Sequence, residues 1–314
     1  MRPLLYVQNQ VRSFISGISD DELTIKEKEA LLGYALIIPS ILAIGSIIIY
    51  PLIYNIYLSF TTIPVNPTAA PEWIGLGHYQ DLIGSEEYWS SLITSIIYTI
   101  GTALLATVGG LFVAVLFNRN FRGGRILRSL VVLPFVAPVI AIAISWKWML
   151  DPLRGYIPYI LTQELGLIES PDVFADPNLA IWGAIVFSAW RYFPFAYLFL
   201  FARLQAIDES LYEAAKLDGA TKFAQFKDIT LHNLRSALAI VFLLRCIWQF
   251  NVYEDVWLVT HQVQTLPIYT YQTAFSVFQQ GRGAAISVTL LIFLLIFLMI
   301  YSRFVTKSES EEVA

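Results

Sequence analysis

Two arginines, Arg191 and Arg245, each lie about eleven residues inside a long apolar stretch. At ~1.5 Å of rise per residue this is ~16 Å of helix, about half of a bilayer core that is ~30 Å thick. A guanidinium at that depth costs ~2.5–3.5 kcal/mol on insertion scales, so each should face a cavity or a partner. Arg245, Trp248, Gln249 and Val252 share one helix face by the i, i+3, i+4 rule. Trp190, Arg191, Tyr192 and Phe195 surround Pro194. Aromatic faces beside hydrogen-bonding side chains suit a sugar, which has apolar ring faces and a polar rim. Two arginines also suit an anion such as a sugar phosphate or sugar acid. Two plainer readings stand beside these: aromatics that only pack helices, and arginines paired with a partner subunit. Glu254 and Asp255 lie about nine or ten residues beyond Arg245, too far along a straight helix to neutralise it directly.

Other chemistries find no constellation to carry them. The single cysteine, Cys246, sits in an apolar stretch, and His78, His232 and His261 are far apart, so neither a disulfide framework nor metal-ligand spacing is present. A membrane enzyme would need convergent His, Cys or carboxylate groups near a span end. No segment reads G-x-x-x-x-G-K-[ST], so any ATP that powers this chain is bound, with its Mg²⁺, by another subunit. A secondary transporter would require an inverted repeat or a carboxylate near the middle of a span, and neither is visible.

The elements that position the arginines follow from composition. Charged residues are 14% and hydrophobic residues 57%, whereas a soluble domain carries roughly 25% charged residues. The apolar surplus gathers in six blocks: Leu31–Phe60, Leu92–Phe117, Leu127–Leu150, Ala180–Leu204, Leu234–Val259 and Ala284–Val305. Each is long enough to cross a bilayer as a helix, and the first is long enough to tilt or protrude. Pro134, Pro138 and Pro194 predict kinks in the third and fourth. The fold class expected is therefore an all-α integral membrane protein with six transmembrane helices. The segments 1–30, 118–128, 203–235 and the C-terminal end hold 15 of the 20 Lys and Arg, and the alternate loops hold only Arg154 and Arg282. The positive-inside rule then places both termini in the cytoplasm. The outer loops are acidic, with Glu72, Asp81, Glu86 and Glu87 in one and Asp151, Glu164, Glu169, Asp172 and Asp176 in the next. Residues 1–30 form an N-terminal segment, residues 31–306 a six-helix transmembrane domain that includes the 205–233 loop, and residues 307–314 a cytoplasmic tail. Leu4, Val7, Val11, Phe14, Ile15 and Ile18 fall at helical spacing, as for an amphipathic surface helix, and Thr24 with Glu27 has a capping-box pattern.

One polar loop, residues 205–233, has the pattern of two short helices. Asp208 is placed to cap the first, Gly219 to end it in the left-handed conformation, and Thr221 to cap the second. Ala214 and Ala215 keep one face thin enough for another surface to approach.

Here the chain resembles the binding-protein-dependent ABC importer permeases. Glu213-Ala214-Ala215, Asp218-Gly219-Ala220, Phe226, Ile229 and Leu231 match that family's EAA loop. The resemblance implies that Glu213, Ala214, Ala215, Asp218, Gly219 and Phe226 form coupling helices that dock on an ATPase subunit. His232 and Ser236 stand where the family usually has prolines, which predicts a straighter, more helical exit from the loop. Tyr50-Pro51, Trp73-Ile74-Gly75-Leu76, Leu133-Pro134 and the Gly281–Ser287 segment extend the likeness along the chain, which is most similar to the maltose and glycerol-phosphate group. That likeness disfavours another solute class such as a polyamine. It implies a non-catalytic subunit of a prokaryotic plasma membrane, forming half of a sugar pathway. Its implied partners are a second permease, two ATPase subunits, an extracellular solute-binding protein and the lipid bilayer, with no nucleic acid. Positions matching Tyr192, Phe195, Trp248 and Gln249 lie at the substrate site in that group, beside Arg191 and Arg245. His261-Gln262 replaces the Gly-Gly-Pro that often follows the threonine matching Thr260, so the outer loop before the last span should be remodelled.

Overall fold

The computed structural model describes residues 25–62, 71–118, 122–164, 166 and 172–313. The amphipathic pattern of residues 4–18 and the Thr24/Glu27 pattern lie outside the residues whose side chains are described. Five helices are long and apolar enough to cross a membrane: Glu29–Leu58, Glu86–Phe117, Ala180–Leu204, Lys222–Phe250 and Gln280–Arg303. The pair Gly124–Val136 and Val139–Met149, bent by 96°, makes a sixth crossing when it is counted as one broken span. The only strands among the described residues are Thr61–Thr62 and Glu72–Trp73, a two-residue antiparallel pairing.

The third span is thus broken, where a kink was expected. Ala137 is extended (φ −65°, ψ 145°) and Pro138 also leaves the helical region (ψ 126°). A proline disfavours helical geometry at the residue before it, so the Ala137–Pro138 step ends one helix and starts another. Pro194 behaves differently: Ala180–Leu204 continues through it as one helix.

The fifth span departs from its expected limits in the same informative way. It ends at Phe250 rather than running to Val259, and a separate helix, Glu254–Val259, follows three residues later. Its start agrees with the His232/Ser236 reading, since helix runs without a break from Lys222 to Phe250.

The second and fourth spans make the core. The second presents Ala103, Ala106, Gly110 and Ala114, all buried, and the fourth answers with Ala184, Ala196, Tyr197 and Leu200. Without a hydrophobic force between helices in lipid, small residues allow the close packing that holds them. Gly110 shows how close: a Cβ there would lie 2.6 Å from the backbone nitrogen of Tyr197. The fifth span closes this layer through Leu234, Ala237 and Val241. The first span stays outside, with Tyr50–Leu58 against the last span and Ile41, Leu42, Ile47 and Ile53 exposed. Lipid is the natural solvent for such a face.

Candidate functional site: a cationic aromatic cluster and an exposed loop

The six residues singled out in the fourth and fifth spans meet in one cluster. Arg245 is 1% exposed. Its Nη2 donates to Gln249 Oε1 at 2.7 Å, and Gln249 Nε2 donates to the Tyr98 hydroxyl at 2.6 Å. Tyr98 in turn shares a 2.7 Å hydrogen bond with Ser188. This buried chain ties the fifth span to the second and the second to the fourth. Buried polar groups need such partners, and a connected network specifies one arrangement of helices.

Tyr192 sits between the two cations. The Arg245 guanidinium carbon lies 3.9 Å from its ring centroid and that of Arg191 lies 4.9 Å away. Both are within reach of a cation–π interaction, which strengthens where water is excluded. Arg191 Nη1 also donates to the Tyr192 hydroxyl at 2.8 Å. Phe195 meets Trp248 edge-on at 4.9 Å between centroids. Phe135, just before the break in the third span, approaches both Tyr192 and Phe195 at 6.3 Å. The broken span therefore delivers an aromatic ring to the cluster. Trp248 is 44% exposed and Tyr192 and Phe195 are partly exposed, so the cluster keeps an open aromatic side while Arg245 and Gln249 are enclosed.

The arginines differ in their counter-charges. Arg191 pairs with Asp255, which is fully buried, and lies 3.6 Å from Glu254. Arg245 makes no ion pair among the described residues. The straight-helix reading kept Asp255 from Arg245, and the two make no ion pair. The turn at Asn251–Tyr253 folds Asp255 back, so it meets the arginine of the neighbouring span. Asp255, Glu254, Tyr98 and Phe135 were not among the residues picked from sequence. For Asp255 the signal was present: a carboxylate in an apolar block needs a partner as much as an arginine does.

The second assembly is the loop at the opposite end of the fifth span. Asp208 caps Glu209–Leu217, its carboxylate accepting from the Ser210 backbone N–H at 2.9 Å. That hydrogen bond favours the ionised form and holds the Asp208 carboxyl below its usual range. The helix ends at Gly219, where φ is +80°. The Ala220 N–H bonds Ala215 carbonyl at 2.9 Å and the Gly219 N–H bonds Lys216 carbonyl at 3.1 Å. This is the double hydrogen-bond closure that a left-handed residue permits, and glycine adopts it without the penalty of a Cβ. Thr221 caps the next helix, accepting from Ala224 at 3.2 Å. Tyr212 and Thr230 join the two pieces through a 2.9 Å hydroxyl contact.

Glu213, Ala214, Asp218 and Gly219 are exposed on this loop, Ala215 is partly so, and Phe226 is half-buried. Sequence reasoning passed over two residues that stand out further: Leu217 is 90% exposed and Phe223 is 74% exposed. Leu217 lies outside every candidate span, and Phe223 stands in the first turn of Lys222–Phe250, ahead of the apolar block that begins at Leu234. Bare apolar side chains on a polar, well-capped loop mark a contact surface.

Residues 106–309 match the family described as "Binding-protein-dependent transport system inner membrane component". The chain is 39% identical over 260 residues to the inner membrane ABC transporter permease protein YcjO of Escherichia coli, covering 82% of this chain and 89% of that one. It is 30% identical over 293 residues to the trehalose/maltose transport system permease protein MalF of Thermococcus litoralis, covering 90% and 97%. In fold it superposes on a chain of a bacterial ABC transporter involved in import of the acidic polysaccharide alginate, with a TM-score of 0.75 and 18% identity over 89% of this chain and 96% of the other.

Proposed function

The chain belongs to the binding-protein-dependent transport system inner membrane components, and on that premise we propose that it forms half of the pathway by which an ABC importer takes a neutral sugar across a prokaryotic plasma membrane. The observation that carries the coupling half of this reading is the capped Glu209–Leu217 helix with Leu217 and Phe223 bare beside Glu213 and Ala214. A rigid helix with apolar anchors and a polar rim is what a partner's cleft requires. The partner is an ATPase subunit, which binds the ATP and Mg²⁺. A second permease completes the pathway, and an extracellular binding protein delivers the solute.

The transport cycle follows from how the chain is tied together. Lys222–Phe250 is one helix, so movement of the loop at its start is carried to Gln249 and Arg245 near its end. The Arg245–Gln249–Tyr98–Ser188 chain then shifts three spans together. Closure of the ATPase dimer, transmitted through Glu213–Phe226, would rotate the bundle to face outward. Sugar released from the binding protein meets Tyr192, Phe195 and Trp248 by their ring faces.

Charge balance favours a neutral sugar over an anionic one. The cluster holds two arginines and two carboxylates, Asp255 and Glu254, so it carries no net charge to attract an anion. The trehalose/maltose relative is in keeping with this. An acidic solute remains the competing reading, because Arg245 has no carboxylate of its own among the described residues. The test is uptake by the complete complex in proteoliposomes. Glu213→Arg should insert normally yet lose ATP-driven uptake, and unchanged uptake would end the docking reading. Arg245→Gln should preserve the solute class if the solute is neutral. Selective loss of an acidic solute, with neutral sugars spared, would establish the competing one.

A further inference from the structure

The outer loop after the fifth span contains a second assembly of rings and amides, separate from the Tyr192 cluster. It begins where His261-Gln262 replaces the glycine-rich turn expected after Thr260. The Thr260 hydroxyl pins the loop, donating to the Phe174 carbonyl at 2.7 Å and accepting from the Gln262 N–H at 3.0 Å. His261 then packs edge-on against Trp257 at 4.8 Å, and Trp257 stacks on Tyr253 at 5.5 Å with 21° between the planes. Tyr271 joins Tyr253 at 5.0 Å.

Beside this ladder lies a cavity of about 300 Å³, the lower end of the size range typical of small-ligand sites. Its walls are Trp257, His261, Gln262, Gln264 and Gln272, over a floor of Val263 and Ile268. Gln264 is fixed by donating to Glu87 at 3.1 Å and to Gln272 Oε1 at 2.9 Å. This orients the Gln272 amide and leaves its NH₂, like the whole Gln262 amide, without a protein partner among the described residues. No carboxylate or permanent cation lines the space. It lies beyond Phe250, at the opposite end of the fifth span from the Glu209–Leu217 loop.

We propose that this cavity is a second carbohydrate subsite at the outer mouth of the pathway, taking the hydroxyls of a neutral sugar on Gln262 and Gln272 with one edge of the sugar beside Trp257. Primary amides both donate and accept, as hydroxyls do, and the Trp257 ring, held by Tyr253 and His261, closes one side of the space. The subsite is joined to the central cluster, because Trp257 stands on the same short helix as Asp255, the partner of Arg191. A sugar held at Trp257 therefore bears on the helix that braces the pathway. The inference rests on the sugar-import reading.

The test uses the assembled transporter in lipid nanodiscs, with maltose, trehalose and diacetylchitobiose as probes and saturation-transfer NMR as the readout. At least one disaccharide should receive saturation in the wild-type complex. That signal should fall at least fivefold in Trp257→Leu and in Gln262→Ala, return in Trp257→Phe, and survive Gln249→Leu, which disrupts the central cluster. Gln262 is exposed, so its replacement leaves the fold intact. Absence of signal from all three sugars, or signal unchanged in Gln262→Ala and Trp257→Leu, would overturn the subsite. Uptake by the same complexes tests the import reading separately: normal wild-type uptake with an unchanged KM in Gln262→Ala would sink the subsite and leave import standing.

Discussion

The Glu209–Leu217 loop and the Tyr192 cluster differ in how far apart their partners stand along the chain. On the loop, Asp208 reaches Ser210, Thr221 reaches Ala224, and Ala220 closes on Ala215. In the cluster, Gln249 reaches Tyr98 and Asp255 reaches Arg191, across gaps of 151 and 64 residues. The loop is assembled by neighbours and left open to a partner. The cluster is assembled by distant spans and mostly closed. The first is a surface built from short-range contacts, and the second exists only once the bundle has packed. Substitutions should therefore act on docking in one region and on folding in the other.

The largest effect is expected at the Asp255–Arg191 pair. Asp255→Leu leaves Arg191 facing only the half-exposed Glu254, and stranding one member of a buried pair costs ~3–5 kcal/mol. Thermal unfolding of the purified complex should show it. Adding Arg191→Met should recover most of the loss, since an apolar pair of similar volume is often neutral. A double variant no better than the single would mean that the pair does not act as a unit.

Docking should respond next, and without loss of stability. Leu217→Asp and Phe223→Asp put charge on an apolar contact, so ATPase association should weaken by tenfold or more, ~1.4 kcal/mol for each factor of ten. Both side chains are bare in the free chain, so the permease itself should unfold within ~0.5 kcal/mol of wild type. Pull-down of the ATPase subunit beside a melting curve separates the two. A destabilised permease with normal docking would reverse the contrast drawn between the regions.

The same contrast explains what could be read in the sequence. Asp208, Gly219 and Thr221 were assigned their capping roles from residue type and spacing, and each holds that role. The fourth span has the limits expected of it, Ala180–Leu204, because a long apolar block leaves a helix no other solvent-compatible form. Arg191 and Arg245 could be nominated because charges in lipid demand partners, and Tyr192, Phe195, Trp248 and Gln249 because they stand beside them and match substrate-site positions of the family the chain resembles. Which partners they take could not be read, because it depends on two chain breaks. Ala137–Pro138 brings in Phe135, and Asn251–Tyr253 brings in Asp255. A proline marks the first break, but only packing decides between a kink and the observed 96° bend. The second has no proline, and its single cue is a carboxylate inside an apolar block.

Gly219→Ala sharpens the local side of the contrast. With φ at +80°, a Cβ is strained although nothing lies within 4 Å to clash with it. The cost should be ~1–2 kcal/mol, felt by the loop and not by the spans. Hydrogen exchange at Gln225–Leu231 should rise while exchange in the second and fourth spans stays unchanged.

The smallest effect is the pH response of the Asp208 cap. Its carboxyl is held below the usual range by the Ser210 N–H and hydroxyl. A group whose pKa is lower in the folded state adds stability above its unfolded pKa and loses it as pH falls through the folded value. The Glu209–Leu217 helix should therefore be fully capped at neutral pH and fray as acid protonates Asp208, below about pH 4. Asp208→Asn keeps a capping oxygen without a charge that titrates. Amide exchange at Ser210 and Leu211 should then depend on acid in the wild type, beyond the intrinsic pH dependence, and not in Asp208→Asn. Equal dependence in both would show that the frayed end is governed by the neighbouring loop contacts, and that the loop is less self-sufficient than its short-range hydrogen bonds imply.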